Sequence, residues 1–378
     1  MSSRSNAMKN QVFSLPELIR EQYRDLEPKT RTILSFEEIF SIQRIVLTGC
    51  GDSNAAAMAT KYVFEQMTGI PTEVVPTIEL SRCYASKQLG FAPKNPLVIA
   101  VSNSGSVARM GEAIQRVVKE GAFALGVTGN RSSLLGKSAS RVLDLNIPPF
   151  EDAPGIRSYM VSVLTLLLLA IRFGEVRGRF TMDQANAYRM DLLKQADLLE
   201  ELLPEMDVQT EQIAEAWKEF DAFDFVGVGS SYAAAWYGHA KALEATGRYA
   251  MCVNAEEWLH LNFFIRNVDK TGTIVVCSGR NRGLVRVQEM VQHAKADMKR
   301  PTLIITDTPD HFPYGAEVIK VPGTEYDQSG VLTEYAPCAL LMGYICEKIG
   351  ETYGRSCEGP WTFAQNGSGV KESQIILD

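Results

Sequence analysis

The sequence predicts an α/β protein of two lobes, each a parallel sheet flanked by helices, and three observations carry that prediction. Residues 49–69 recur 178 positions later at 227–247, with 8 of the 21 aligned positions identical. Both copies read as strand, Gly-x-Gly turn and helix, and a repeated unit of this kind implies two copies of one lobe. In each half, apolar strand-like runs alternate with helical patterns at βαβ spacing, which favours parallel sheets covered on both faces. Finally, 378 residues at 46% hydrophobic and 22% charged supply enough apolar material for two cores of ordinary size.

The elements follow in order. Residues 1–7 read as a vector-derived leader ahead of Met8, and 14–40 as a helical lead-in. Residues 44–51 form a buried β-run ending in glycines, 52–67 a helix and 72–76 a short strand, which together make a βαβ unit. A third strand runs through 96–101 into a serine-rich turn, then come a helix over 107–120 and strands at 123–129 and 142–148. Long helical patterns fill 161–218, with an acidic stretch at 197–205 and no Gly/Pro-rich linker. The second half replays the order: strand 223–229, helix 231–246, strands 249–254 and 273–279, helix 283–296, strands 302–307 and 317–322. The expected division is a lead-in over 1–40, a first domain over 41–214 and a second over 215–378.

Composition narrows the function. A net charge of -7 argues against a nucleic-acid surface, which needs clustered Lys and Arg, and favours a small-molecule ligand. Cys50, Cys83, Cys252, Cys277, Cys338, Cys346 and Cys357 are scattered and contain no C-x-x-C pair, so reduced thiols in the cytoplasm are expected rather than disulfides or a zinc site. The apolar stretch 161–171 is too short to span a bilayer and reads as a buried helix, so no membrane partner is expected.

A strand that ends in Gly-x-Gly and opens a helix aims backbone N–H groups and the helix dipole at an anion. In both copies the third glycine of a dinucleotide fingerprint is replaced, by Ala56 and Ala234, which disfavours a nucleotide cofactor. Ser102-Asn103-Ser104-Gly105-Ser106 at the end of the third strand can surround a phosphate with hydroxyls and N–H groups, the alternative being a solvated turn. Tyr237, Lys241 and Glu244 are spaced to share one helix face, as a catalytic group or as a structural ion pair.

Gly49-Cys50-Gly51-Asp52-Ser53, then Val101-Ser102-Asn103-Ser104-Gly105-Ser106, then Gly155-Ile156-Arg157-Ser158 before an apolar helix resemble the sugar isomerase (SIS) family. The doubled arrangement is similar to the isomerase half of glucosamine-6-phosphate synthase, and relatives include fructosamine-6-phosphate deglycases. The resemblance spans about residues 30–378 and implies two flavodoxin-like SIS lobes, paired in a homodimer. It implies a sugar phosphate held by Ser102, Asn103 and Ser104, with Gly51, Ser53 and Ser158 at the sugar. The family loop continues S-x-S-G-E-T, whereas Ser106 and Val107 stand in the last two places here, so Ser106 is expected to replace the lost Thr hydroxyl. Arg157 replaces a small residue, which suggests an acidic substituent on the substrate or an added phosphate contact.

By the same resemblance Lys241 and Glu244 match the helix whose Glu moves a proton between C1 and C2, and Tyr237 stands where a second Glu is usual. His260, in Glu256-Glu257-Trp258-Leu259-His260, matches the ring-opening histidine that the family donates across the dimer, although Leu261-Asn262 replaces Gly-Pro. Imidazole titrates near neutrality and can open a hemiacetal as acid or base. Lys371 is the equivalent of a tail lysine over the sugar, or else a solvated tail residue. His239, His293 and His311 receive no role, and no metal or redox cofactor is required. With no amino-terminal glutaminase in view, the expected activity is that of a phosphosugar isomerase or deglycase on a ketose or amino-sugar 6-phosphate. Alternatives are a glucosamine-6-phosphate deaminase and a non-catalytic sugar-phosphate-binding regulator.

Overall fold

The computed structural model describes residues 6–90, 95–353 and 368–377. The chain forms two compact units. The first lobe comprises Ile19–Pro148, Ser158–Met190 and Ser356–Asp378; the second comprises Met1–Leu18, Pro149–Arg157 and Asp191–Arg355.

Three helices, α1 (Ala7–Phe13), α2 (Leu15–Thr32) and α3 (Phe36–Ser41), stand where one lead-in helix is expected. The break before α3 is made by Ser35 and Glu38, whose side chains each bond the other's backbone N–H in a capping box. There follow β1 (Ile45–Gly49), α4 (Asp52–Thr68), β2 (Thr72–Val74), β3 (Leu97–Val101), α5 (Ala108–Lys119), β4 (Phe123–Thr128), α6 (Leu134–Ser138) and β5 (Arg141–Asp144). Their sheet is all parallel in the order β2-β1-β3-β4-β5. Every residue of β1 and β3 is buried, as strands covered by helices on both faces must be.

The apolar stretch at 161–171 belongs to a longer helix than expected, α7 (Arg157–Val176). By length and composition alone α7 could cross a membrane, yet 83% of its apolar window is buried inside the protein. Phe173 meets Phe64 of α4 edge-on at 6.2 Å. A side chain at Gly174 would stand 2.6 Å from the Met67 carbonyl oxygen, so glycine sets how closely α7 approaches α4.

After α8 (Met182–Trp217) the second lobe repeats the pattern with β6 (Ala222–Gly227), α9 (Ser231–Lys241), β7 (Tyr249–Asn254), α10 (Ala255–Leu261), β8 (Thr271–Val276), α11 (Leu284–Gln292), β9 (Thr302–Thr306), β10 (Glu317–Lys320) and α12 (Ala336–Lys348). Its parallel sheet has the order β10-β9-β8-β6-β7, the same topology as the first. Both lobes therefore share one topology, as the repeat predicts, and it is the flavodoxin-like order that the family resemblance implies. The short helix α13 (Ser368–Lys371) lies in the C-terminal tail.

In both sheets strand order reverses at one place, between β1 and β3 and between β6 and β8. Ligands of open α/β sheets bind outside the carboxyl ends of the strands at such a switch point. Register puts Gly49 beside Val101 and Gly227 beside Val276, so each glycine turn emerges next to the loop that follows the neighbouring strand.

Candidate active site

In the first lobe the chain leaves β1 through Gly49, where a Cβ would come within 2.4 Å of the Ser53 backbone, and turns at Gly51 with φ +56. Only glycine lets the first turn of α4 fold back so tightly. The neighbouring loop is built from its own serines. Buried Ser102 accepts the Gly105 N–H through Oγ at 3.1 Å, and the Asn103 carbonyl accepts Gly129 N–H at 2.9 Å. Ser104 and Asn103 stay exposed at the tip, and the Ser106 hydroxyl donates to Ser104 Oγ at 3.1 Å. Ser106 thus joins the hydroxyl cluster, while Val107 packs against the first-lobe core. Ser158 sits in the first turn of α7, where its carbonyl accepts the Ser162 hydroxyl at 2.8 Å.

Gly105 holds this loop in shape. Its φ is +63, and a Cβ there would stand 2.0 Å from Ser133 Oγ. Gly105→Ala is expected to destabilise the lobe by about 1–3 kcal/mol and to weaken inorganic phosphate binding at least tenfold in titration calorimetry; unchanged affinity would remove this loop from the phosphate site.

Arg157 takes a different place from the one expected. It is buried at 8% exposure, donates from Nη1 to Ser14 Oγ at 2.7 Å and lies over the Phe150 ring at 4.4 Å. These contacts tie α1's end and the segment before α7 together within the second lobe. The Arg157 guanidinium is thus engaged with Ser14 and Phe150 inside the second lobe.

In the second lobe α9 packs closely because its residues are small: a Cβ at Gly238 would meet the Phe225 ring at 2.5 Å. Beyond Lys241 the helix widens into a π turn over Ala242–Thr246, which carries Glu244. Such turns re-aim side chains and recur at functional positions. Lys241 is fully buried; its ammonium meets Glu244 Oε2 at 2.5 Å and lies 4.8 Å over the Tyr237 ring. A buried ammonium is costly without such partners. The Glu244 side chain remains 44% exposed, so an oriented carboxylate faces solvent. Tyr237 is buried, with its hydroxyl donating to the Gly155 carbonyl at 3.1 Å, and so serves as a support for Lys241.

His260 is placed by α10. The buried Trp258 on this helix donates to Asp224 Oδ2 at 3.1 Å, and Asp224 also pairs with the fully buried Arg300. Arg300 in turn donates to the Asn262 carbonyl at 3.1 Å, which explains how Leu261-Asn262 can end the helix without Gly-Pro. The His260 imidazole is 66% exposed and pairs with Glu256 at 3.2 Å rather than with Glu244. Two bonds from Arg286 hold the Glu256 carboxyl below the usual carboxylate range, so a carboxylate stands ready behind the imidazole. Lys371 is exposed on α13.

The second lobe also holds a residue that the motifs gave no reason to single out. Glu334, just before α12, is buried and accepts the Ser231 hydroxyl at 2.9 Å at the start of α9. The second glycine turn therefore carries an internal carboxyl against Ser231, the residue that the repeat aligns with Ser53. The signal available in the sequence was one acidic residue directly before an apolar helix.

Residues 38–172 match the family model of the SIS domain. Glutamine–fructose-6-phosphate aminotransferase (isomerizing) of Gloeobacter violaceus is 26% identical over 353 residues, covering 91% of this chain and 56% of that protein. The chain spans about half the length of the curated relatives it matches. Among solved structures, the C-terminal domain of glucosamine-fructose-6-phosphate aminotransferase from Francisella tularensis aligns with a TM-score of 0.82 at 17% identity, covering 92% of this chain and 97% of that one. Tagatose-6-phosphate ketose/aldose isomerase from Escherichia coli aligns at 0.72 and 16% identity, covering 100% and 99%. At these identities the two structures bear on the fold, and the fold is the same.

Proposed function

We propose that this chain, which carries a SIS domain, is a phosphosugar isomerase or a fructosamine-6-phosphate deglycase that works by proton transfer between C1 and C2. The observation that carries the reading is the paired Lys241 and Glu244, a carboxylate oriented by a buried ammonium and still open to solvent. The hydroxyl cluster of Ser102, Ser104 and Ser106, beside the turn at Gly51 and Ser53, supports the phosphate-anchoring half.

In this reading the loop grips the phosphate, and that binding energy orients the reacting carbons. His260, backed by Glu256, opens the ring. Glu244 takes the proton from C1 of the open-chain ketose or ketosamine and returns it to C2, passing through an enediol or enolamine. With oxygen at C1 the product is an aldose phosphate. With an amino-acid nitrogen at C1 the product is an imine, which water hydrolyses to an aldose phosphate and the free amine. Exposure of His260 at the surface of its lobe supports donation to a second copy of the chain, and hence a homodimer.

The test is a panel of fructosamine 6-phosphates, glucosamine 6-phosphate, fructose 6-phosphate and tagatose 6-phosphate in deuterated water, followed by NMR and by detection of released amine. Deuterium entering C1 or C2 of at least one compound is the expected result. Binding of several compounds without exchange into any would point to a sensor.

A further inference from the structure

The first lobe buries a charged residue that the proposed reaction does not use. Glu112 of α5 is fully buried, yet its polar contacts reach the C-terminal tail. Arg82 donates to it from Nε at 2.6 Å and from Nη2 at 3.2 Å, and Arg109 pairs with it one turn earlier on the same helix. Its remaining partner is the backbone N–H of Ile376 in the C-terminal tail, at 2.7 Å. Arg109 also donates to Ser373 Oγ at 3.2 Å and to the Gln374 carbonyl.

We infer that Glu112, with Arg109, is a latch that docks the C-terminal segment 373–376 onto α5, and that through it Glu112 acts as a positioning residue for Lys371. Three facts lead there. First, the docked segment is tied by polar contacts at three of its residues, Ser373, Gln374 and Ile376, while Ile375 and Leu377 stay 37% and 42% exposed. Bonds to an ionised partner are the stronger class of hydrogen bond, and here the Glu112 carboxylate takes the Ile376 amide while the Arg109 guanidinium takes Ser373 and Gln374. Second, Arg109 lies in the first turn of α5, where a cation opposes the helix dipole. A position that is unfavourable for the helix is explained by what Arg109 holds. Third, α5 starts directly after the Ser102–Ser106 loop, so the latch fixes the tail within two helical turns of the candidate phosphate anchor.

Burial pushes the Glu112 carboxyl up, but the Arg82 bonds, the Ile376 amide and Arg109 outweigh it and bring it down to about 2. The latch is therefore charged throughout the neutral range. The docking half stands on geometry alone; the role of Lys371 rests on the function proposed above.

Two variants of the full chain test it, read by limited proteolysis with a broad-specificity protease, following cleavage within 371–374 by mass spectrometry. Glu112→Gln removes the charge, and Ile376→Pro removes the donor without touching the buried cluster; Ile376→Ala is the control. Cleavage there should speed up on the order of 10-fold in both variants and stay near wild type in the control. Unchanged cleavage in Ile376→Pro eliminates the latch, and this readout holds whether or not the chain turns over any sugar phosphate. On a substrate found by the panel, Ile376→Pro should lower kcat while leaving KM within about twofold. A released tail with wild-type kcat removes the positioning role and leaves Glu112 as a structural anchor only.

Discussion

Replacing Glu244 by Gln is expected to lower kcat on the order of 10³-fold while sugar-phosphate affinity stays within about threefold. The amide is nearly isosteric and can still face Lys241, but it cannot accept a proton from carbon at neutral pH. Proton transfer by a positioned side chain contributes 10²–10⁴-fold in well-studied enzymes, and here one carboxylate is asked to serve both carbons. Affinity should survive because the phosphate-anchoring hydroxyls belong to a different loop, which the substitution does not touch. Deuterium exchange into C1 and C2 is the cleaner measurement, since it reports the proton step before any later hydrolysis. If Glu244→Gln keeps more than a tenth of the wild-type exchange rate, another base must be found.

Glu334→Gln is expected to change stability in a pH-dependent way. Burial pushes the Glu334 carboxyl up to about 7; the Ser231 hydroxyl bond opposes this and the negative Asp307 reinforces it. A carboxyl whose folded value lies above its unfolded value binds more protons in the folded state over the interval between the two. Stability is then highest below the unfolded value of about 4.3 and declines as pH rises towards 7, flattening above it. The full span amounts to roughly 4 kcal/mol at 1.36 kcal/mol per unit, of which the interval from pH 4 to pH 8 covers most. Gln keeps an acceptor for Ser231 and removes the titration. Relative to wild type, the variant should therefore gain roughly 3 kcal/mol between pH 4 and pH 8 in urea unfolding. An equal difference at both pH values would show that Glu334 stays ionised or stays neutral throughout.

The sequence by itself determined the two-sheet architecture. Strand, glycine turn and helix are written locally, because short runs dominated by apolar residues have few other uses and because Gly49, Gly51, Gly227 and Gly229 sit where backbone and helix leave no room for a side chain or where φ is positive. The repeat then fixed the second lobe from the first. The Lys241 and Glu244 pair was also legible, since residues three apart on one helix must be neighbours.

Other decisions belonged to the tertiary structure, because burial and long-range pairing are properties of the whole chain. That Arg157 donates to Ser14, 143 positions away, could not be read from the residues around either one. The π turn that carries Glu244 left no mark in the periodicity, as one widened turn shifts a pattern by less than the spacing of its apolar residues. Nothing in the local sequence sets Glu334 and Glu112 apart from a solvated acid. What gives the one a raised pKa and the other a docked tail is enclosure: Ser231 lies 103 positions from Glu334, and Ile376 lies 264 positions from Glu112. Only a folded chain brings those partners within reach, and only a buried site makes their charge count.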